Sequence, residues 1–402
     1  MVSSSEQELH RHNLRLSQLE YQLQHVSLAS QPRCLGVVLG NACNLNCIHC
    51  YQSKSGANLL RPVEIGKRLR AEFRALYPYL STLRVQGGEV FALAGFDELL
   101  EDLQATVGRP ILSVSTNGTL IDEAWAERIV RLPFQHITVS IDGATPETYA
   151  RLRRGGRLET VLAGVRRIQR WKENLRSELP HLDSFFVVMR SNFREIPRYL
   201  ELMREHGIID VSLQTLEINQ ENSTRRPELE RDEAIADPAE VAELHHILQQ
   251  TLALERPRFR MIRASGLRSL FQQQGLDPAF LMEETTGLYP DSDGLAGGAV
   301  PFELCPNPWT TLFVVENGDV HVCFLSEAIG NLHQAPLSSL WNCPRAQAKR
   351  SQLIAGQYLA STCSERFCSW REGRRPAAPL ACTGELRSEM ECLKKRRRYC
   401  WT

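Results

Sequence analysis

Three cysteines, Cys43, Cys47 and Cys50, stand close together in the stretch CNLNCIHCY. Thiolates at this spacing on a loop converge on one face of a metal cluster. Three of them leave the fourth iron of a [4Fe–4S] cubane without a protein thiolate. An open iron can take a substrate or a cofactor, much as a catalytic zinc keeps an open position. The competing chemistry is a structural zinc site with His49 as fourth ligand. After Cys50 no cysteine occurs until Cys305, and Cys323, Cys343, Cys363, Cys368, Cys382, Cys392 and Cys400 follow. This uneven placement of 12 cysteines predicts two separate metal-binding regions. In a reducing compartment clustered thiols point to metal or catalysis rather than to disulfides.

The elements that must position these thiols are legible as alternating runs. Short stretches rich in Val, Ile and Phe at 34–39, 82–86, 111–115, 136–141, 184–189 and 209–214 read as buried parallel strands. Amphipathic helices fall between them, around 62–77, 97–106, 122–131, 158–178 and 195–206, with Asp122 as an N-cap and Gly207 as a helix end. Six strand–helix units imply a parallel sheet with right-handed crossovers, either open and doubly wound or a partial barrel. In both, ligands collect at the strand C-termini. The cysteine loop follows the first strand, Gln86-Gly87-Gly88-Glu89 ends the second, Ser115-Thr116-Asn117-Gly118 the third and Ser140-Ile141-Asp142-Gly143 the fourth. Beyond them, TTLFVV–ENGD–VHVCF reads as a hairpin turning at Asn317-Gly318.

Composition narrows the function further. Lys+Arg and Asp+Glu both count 47, so bulk charge gives no case for a polyanion binder. No apolar run reaches the length of a membrane span, and the first residues lack the apolar core of a signal peptide. A cytoplasmic protein is expected. The run Leu393–Arg398 is the densest basic stretch and reads as a solvated tail.

The motif CNLNCIHCY resembles the CxxxCxxC-aromatic signature of the radical SAM superfamily, and the resemblance runs through the six-unit pattern over about residues 34–214. It implies a partial (β/α)6 parallel barrel in which Cys43, Cys47 and Cys50 hold a [4Fe–4S] cluster. The free iron of that cluster chelates S-adenosylmethionine (SAM), whose reductive cleavage gives a 5′-deoxyadenosyl radical. By the same resemblance Gly87, Gly88 and Glu89 face the methionine amino group. Asn117 and Ser140 lie beside the cofactor, Arg153 serves the methionine carboxylate, and Asn192 is a further contact. A guanidinium fork suits a carboxylate; read without the resemblance, Arg153 is a solvated helix charge. Cys305-x12-Gly318-x4-Cys323 resembles the opening of the SPASM/twitch extension, which implies a small α+β domain with one auxiliary [4Fe–4S] cluster on Cys305, Cys323, Cys363 and Cys368. Cys343 reads as a packed thiol; Cys382, Cys392 and Cys400 are open alternatives as ligands.

The expected organisation is an N-terminal helical extension (1–33), a radical SAM core (34–216), a helical insertion serving as linker or substrate lid (217–300), the SPASM/twitch-like domain (301–375) and a basic, cysteine-containing tail (376–402). The expected activity is hydrogen abstraction from an unactivated C–H of a small-molecule or sugar-like substrate, leading to dehydrogenation or oxidative bond formation. A peptide-modifying maturase and a redox-neutral epimerase are the alternatives within the family. A non-catalytic iron–sulfur or zinc protein is the alternative outside it. Flavodoxin or ferredoxin is the expected class of electron donor.

Overall fold

A computed structural model describes residues 4–50, 64–105, 110–216, 232–281, 305–324, 326–357 and 390–391. The expected ligands Cys363 and Cys368, the open alternatives Cys382, Cys392 and Cys400, the basic tail, and 217–231 and 282–300 of the expected insertion lie outside the described residues.

All six expected strands are present as β1 (Cys34–Val38), β3 (Thr82–Gln86), β4 (Ile111–Thr116), β5 (Phe134–Ser140), β7 (His181–Val188) and β8 (Asp210–Thr215). They pair in that order, every pair parallel. Two short strands, β2 (Asn46–Cys47) and β6 (Arg153–Arg154), form a separate antiparallel ladder. The helices between the main strands are α2 (Lys67–Arg74), α3 (Ala94–Ala105), α4 (Glu123–Arg131), α5 (Pro146–Leu152), α6 (Leu158–Leu175) and α7 (Ile196–Glu205); α1 (Ser4–Gln22) precedes β1. Asp122 caps α4 by accepting from the Trp125 amide at 2.8 Å. Period-2 patterning then sorts each strand into two faces. Leu35, Val37, Leu83, Val85, Leu112, Val114, Ile137, Val139, Phe186 and Leu213 point to one side, into a continuous core with Phe73, Phe96, Ile129, Val165 and Leu200 of the helices.

The sheet is wider than the sequence pattern predicts, at both edges. Within the expected insertion, β9 (Met261–Ser265) pairs in parallel with β8, with α8 (Pro238–Glu255) before it as the crossover helix and α9 (Leu267–Gln273) after it. Val241, Leu244, Leu248 and Leu252 of α8 enter the core, and two ion pairs join it to the turn before α7, one half-buried (Arg190–Glu240 2.9 Å) and one exposed (Arg194–Glu243 2.5 Å). The described part of 217–300 thus adds a further strand and crossover helix to the sheet, where a helical insertion serving as linker or substrate lid was expected. MIRAS is short and follows the polar run RPRFR, so no apolar pattern announces it.

At the other edge the expected hairpin forms from β10 (Thr311–Val314) and β11 (Asp319–His321), with Gly318 at φ +87° in the turn. It does not stand apart. β10 pairs in parallel with β1 (Cys34↔Thr311, Gly36↔Phe313), and β12 (Gly330–Asn331) extends the ladder to ten strands. Only glycine fits at position 36, because a Cβ there would meet the Phe313 ring at 2.2 Å.

The N-terminal extension clasps this C-terminal region. The segment after α1 is tied to α10 (Asn307–Thr310), α11 (Leu337–Leu340) and α12 (Pro344–Ile354). Trp309 Nε1 donates to the His25 carbonyl (2.7 Å), Trp341 Nε1 to that of Ser30 (2.8 Å), and the Tyr21 and Trp309 rings meet edge to face. Arg350, fully buried, donates to the carbonyls of Val26, Pro308 and Trp341 and stacks over the Trp341 ring. Burial lowers its pKa to about 10, so its carbonyl acceptors are what keep the cation in place.

Candidate active site at the strand ends

The cysteine loop leaves β1 and is held by backbone before any side chain acts. The Gly88 amide donates to the Gly40 carbonyl and the Glu89 amide to that of Ala42, both at 2.8 Å. A Cβ on Gly88 would lie 2.1 Å from the Ala42 oxygen, and one on Gly87 2.7 Å from the Gly40 oxygen. The two glycines are therefore required by the approach of one chain segment to another, next to Cys43. On the far side β2 pairs with β6 (Asn46↔Arg154, Cys47↔Arg153), and the Ile48 amide donates to Leu152 at 2.9 Å. The loop is pinned at both ends.

Donors converge on the sulfurs. The Leu45 amide lies 3.4 Å from Cys43 Sγ, Asn117 Nδ2 3.8 Å from the same atom, and an Arg153 guanidinium nitrogen 3.8 Å from Cys47 Sγ. Such donors stabilise a thiolate. Burial pushes the Cys47 thiol up to about 11, with Arg153 pulling the other way. Among the described residues no three His, Cys, Asp or Glu side chains close on a single point as one metal ion requires. His49, the expected fourth ligand of a zinc site, instead has Nε2 2.9 Å from Asp142 Oδ2. Three cysteine thiolates are the donor set of a cubane with one open corner, and His49 is engaged with Asp142.

Beneath the loop lies a buried charged network. Asp142 is wholly buried, with Oδ2 2.6 Å from Arg153 Nε and Oδ1 accepting from the Val187 amide at 2.8 Å. Burial alone would raise its pKa, but Arg153 and His49 bring it down to about 2. Arg153 is 7% exposed, so it is not a solvated helix charge; Arg154 is the exposed member of the pair.

Several expected site residues turn out to be fasteners. Glu89 is buried and accepts through Oε1 from Thr116 Oγ1 (2.7 Å) and the Phe91 amide (3.2 Å), and through Oε2 from the Asn117 amide (2.7 Å). Burial raises its pKa and these donors oppose the rise. Asn117 Nδ2 also donates to Asn44 (2.9 Å), so the third strand end holds the cysteine loop directly. Asn192 donates to the carbonyls of Asp142 and Val187 and accepts from the Met189 amide, closing the turn after β7. Ser140 stands half-buried at the end of β5. These residues stand at or beside the strand ends, and the polar atoms of Glu89, Asn117 and Asn192 brace the structure there. The partnership of Asp142 with His49 and Arg153 went unread in the sequence; its signal is the aspartate of Ser-Ile-Asp-Gly at a strand C-terminus.

Of the C-terminal thiols, Cys305 is buried and Cys323 half-buried, with Asn307 Nδ2 3.8 Å from Cys323 Sγ. Cys343 caps α12, its sulfur 3.4 Å from the Ala346 amide, which fits a packed thiol.

Comparison with known proteins supports both regions. Residues 37–170 match the model of the radical SAM superfamily, and 305–369 that of the SPASM iron–sulfur cluster-binding domain. The chain is 26% identical over 180 residues to a probable GTP 3′,8-cyclase of Methanocaldococcus jannaschii, covering 44% of this chain and 57% of that protein, little more than half its length. It is 24% identical over 383 residues to the AdoMet-dependent heme synthase of Methanosarcina barkeri, covering 92% of this chain and 98% of the other. Among solved structures, Streptococcus suis SuiB bound to S-adenosylmethionine aligns with a TM-score of 0.56 at 15% identity, over 82% of this chain and 69% of that one. Native anSMEcpe with bound AdoMet aligns at 0.53 and 16%, over 90% and 97%. These two likenesses concern the fold. The braced three-cysteine loop and both family matches lead to one conclusion: the chain belongs to the radical SAM superfamily and carries a SPASM-type iron–sulfur cluster-binding domain at its C-terminal side.

Proposed function

We propose that this enzyme oxidises a small polar substrate at an unactivated C–H, by dehydrogenation or oxidative bond formation. Cys43, Cys47 and Cys50 hold the cluster to which S-adenosylmethionine binds. When bound, cluster and SAM together supply reductive sulfonium cleavage and hydrogen abstraction from carbon. The chain's own residues supply placement. Asn117 and the Leu45 amide hold Cys43, Arg153 sits against Cys47, and Glu89 ties the second strand end to the third. Ser140, at the end of β5, is the candidate to meet the cofactor directly. Cys305 and Cys323, with Cys363 and Cys368, would hold one auxiliary cluster, whose chemistry would be to take up an electron during substrate oxidation.

One observation carries the small-molecule reading. The sheet face turned away from the helices presents Arg84, Thr138, Asp183, Ser212 and Arg263 beside Phe185 and Val187, a mixed wall whose charged and hydroxyl groups suit a polar ligand. A peptide substrate is the second reading, because structures similar in fold contain bound peptide, among them SuiB with its precursor peptide SuiA. The test is anaerobic reconstitution with iron and sulfide, then reduction with SAM present. About eight irons per chain and 5′-deoxyadenosine formation are expected. Zinc in place of iron, with no SAM cleavage, would overturn the reading.

A further inference from the structure

Cys47 and Arg153 stand directly opposite each other where β2 pairs with β6. Cross-strand partners share one face and bring their side chains within reach. The guanidinium accordingly meets the sulfur, with Nη1 3.8 Å from Cys47 Sγ. Backbone fixes this approach. The Gly156 amide donates to the Arg153 carbonyl at 2.9 Å. A Cβ on Gly156 would lie 3.1 Å from that oxygen and 3.3 Å from the Leu45 side chain of the cysteine loop.

Asp142 holds the same guanidinium. Its Oδ2 lies 2.6 Å from Arg153 Nε and 2.9 Å from His49 Nε2, so one carboxylate oxygen ties the cation to the histidine of the cysteine loop. Asp142 is itself fastened. Its Oδ1 accepts from the Val187 amide at 2.8 Å, and its carbonyl accepts from Asn192 Nδ2 at 3.0 Å. All three side chains are buried. A buried ion pair adds little net stability once desolvation is counted, so stability alone does not account for placing one against a cluster ligand.

The order of contacts runs from carboxylate to cation to sulfur. Reduction of an iron–sulfur cluster adds one negative charge, and net charge and hydrogen bonds to the sulfurs set how readily it is accepted. We infer that Arg153 raises the reduction potential of the cluster on Cys43, Cys47 and Cys50 by acting on Cys47 Sγ, and that Asp142 is the positioning residue that aims it. The electron comes from a reduced one-electron carrier protein, replaced by dithionite in vitro. This inference rests on the iron–sulfur reading above and departs from the role the resemblance implies for Arg153, at the methionine carboxylate.

The test is an EPR-monitored redox titration of the full-length, anaerobically reconstituted protein without SAM. The signal that changes when SAM is then added belongs to the first cluster, and the other signal serves as an internal reference. Arg153→Met should make the first cluster about ten-fold harder to reduce, a potential about 59 mV more negative for one electron, and leave the reference in place. The double variant Asp142→Asn/Arg153→Met removes both buried charges, so that no stranded carboxylate disturbs the fold. It should shift the potential in the same direction, by about three-fold or more in the reduction equilibrium. Arg154→Gln, one residue along and exposed, should titrate like wild type. Unchanged potentials in both Arg153 variants would overturn the inference; weaker SAM binding beside them would give the guanidinium to the cofactor instead. An equal shift in Arg154→Gln would also overturn it, since bulk charge would then suffice. Zinc in place of iron in the wild-type protein would sink the functional reading and this inference with it, whereas a full iron count with unmoved potentials would sink the inference alone.

Discussion

The two cysteine regions are built on opposite plans. The loop of Cys43, Cys47 and Cys50 is braced by the ends of three strands and by a buried ion pair, all within 34–192. Cys305 and Cys323 are instead joined through a hairpin that borrows β1 as its partner and is clasped by the N-terminal extension. The first region is specified by local sequence and strand topology; the second depends on contacts between the two ends of the chain. It follows that the first should survive damage to the second.

The largest expected effect comes from breaking the first region itself. Cys47→Ala should abolish SAM cleavage and remove about four irons; full cleavage by that variant would sink the assignment. Next comes the charge beneath it. Asp142→Asn leaves Arg153 buried without a counter-charge and should lower unfolding free energy by about 3–5 kcal/mol, measured by urea titration. Adding Arg153→Met should recover at least half of that loss, because the two residues are coupled. A double variant no more stable than the single would contradict the pairing.

A smaller effect is expected from the clasp. Arg350→Met strands carbonyls of Val26, Pro308 and Trp341 and should cost about 2–3 kcal/mol. Hydrogen exchange should rise around residues 25–30 and 306–342 and stay unchanged at β3 to β5. Faster exchange at β3 to β5 would mean that the two regions are not separable.

The smallest effect is the pH response of Asp183. Burial raises its carboxyl to about 6 in the folded protein, above the ordinary value of 3.8. A raised carboxyl binds its proton more tightly in the folded state, so its contribution favours folding below about pH 4 and is lost as pH climbs through 6. Between pH 7 and pH 5 wild type should gain about 1 kcal/mol relative to Asp183→Asn. Parallel stability curves for the two would remove the shift.

Much of this was legible in the residues. The six core strands, the capping by Asp122 and the turn at Gly318 follow from apolar runs and turn chemistry that act locally. The edge strand β9 was not, because its pairing with β8 is decided by tertiary contact and MIRAS has too little apolar pattern to announce it. For the site, motif order placed the strand ends correctly, but spacing says nothing about which polar atom faces which. The glycines of Gly87-Gly88 accommodate the cysteine loop, and Asn192 closes a turn; both roles depend on distances between segments far apart in sequence.

The independence of the two regions is tested most directly by iron content and 5′-deoxyadenosine yield in Cys305→Ala, reconstituted and reduced with SAM. The structure predicts loss of about four of eight irons with uncoupled SAM cleavage retained. A full iron count would show that Cys305 is not a ligand. Loss of all iron together with SAM cleavage would contradict a self-contained site at Cys43, Cys47 and Cys50.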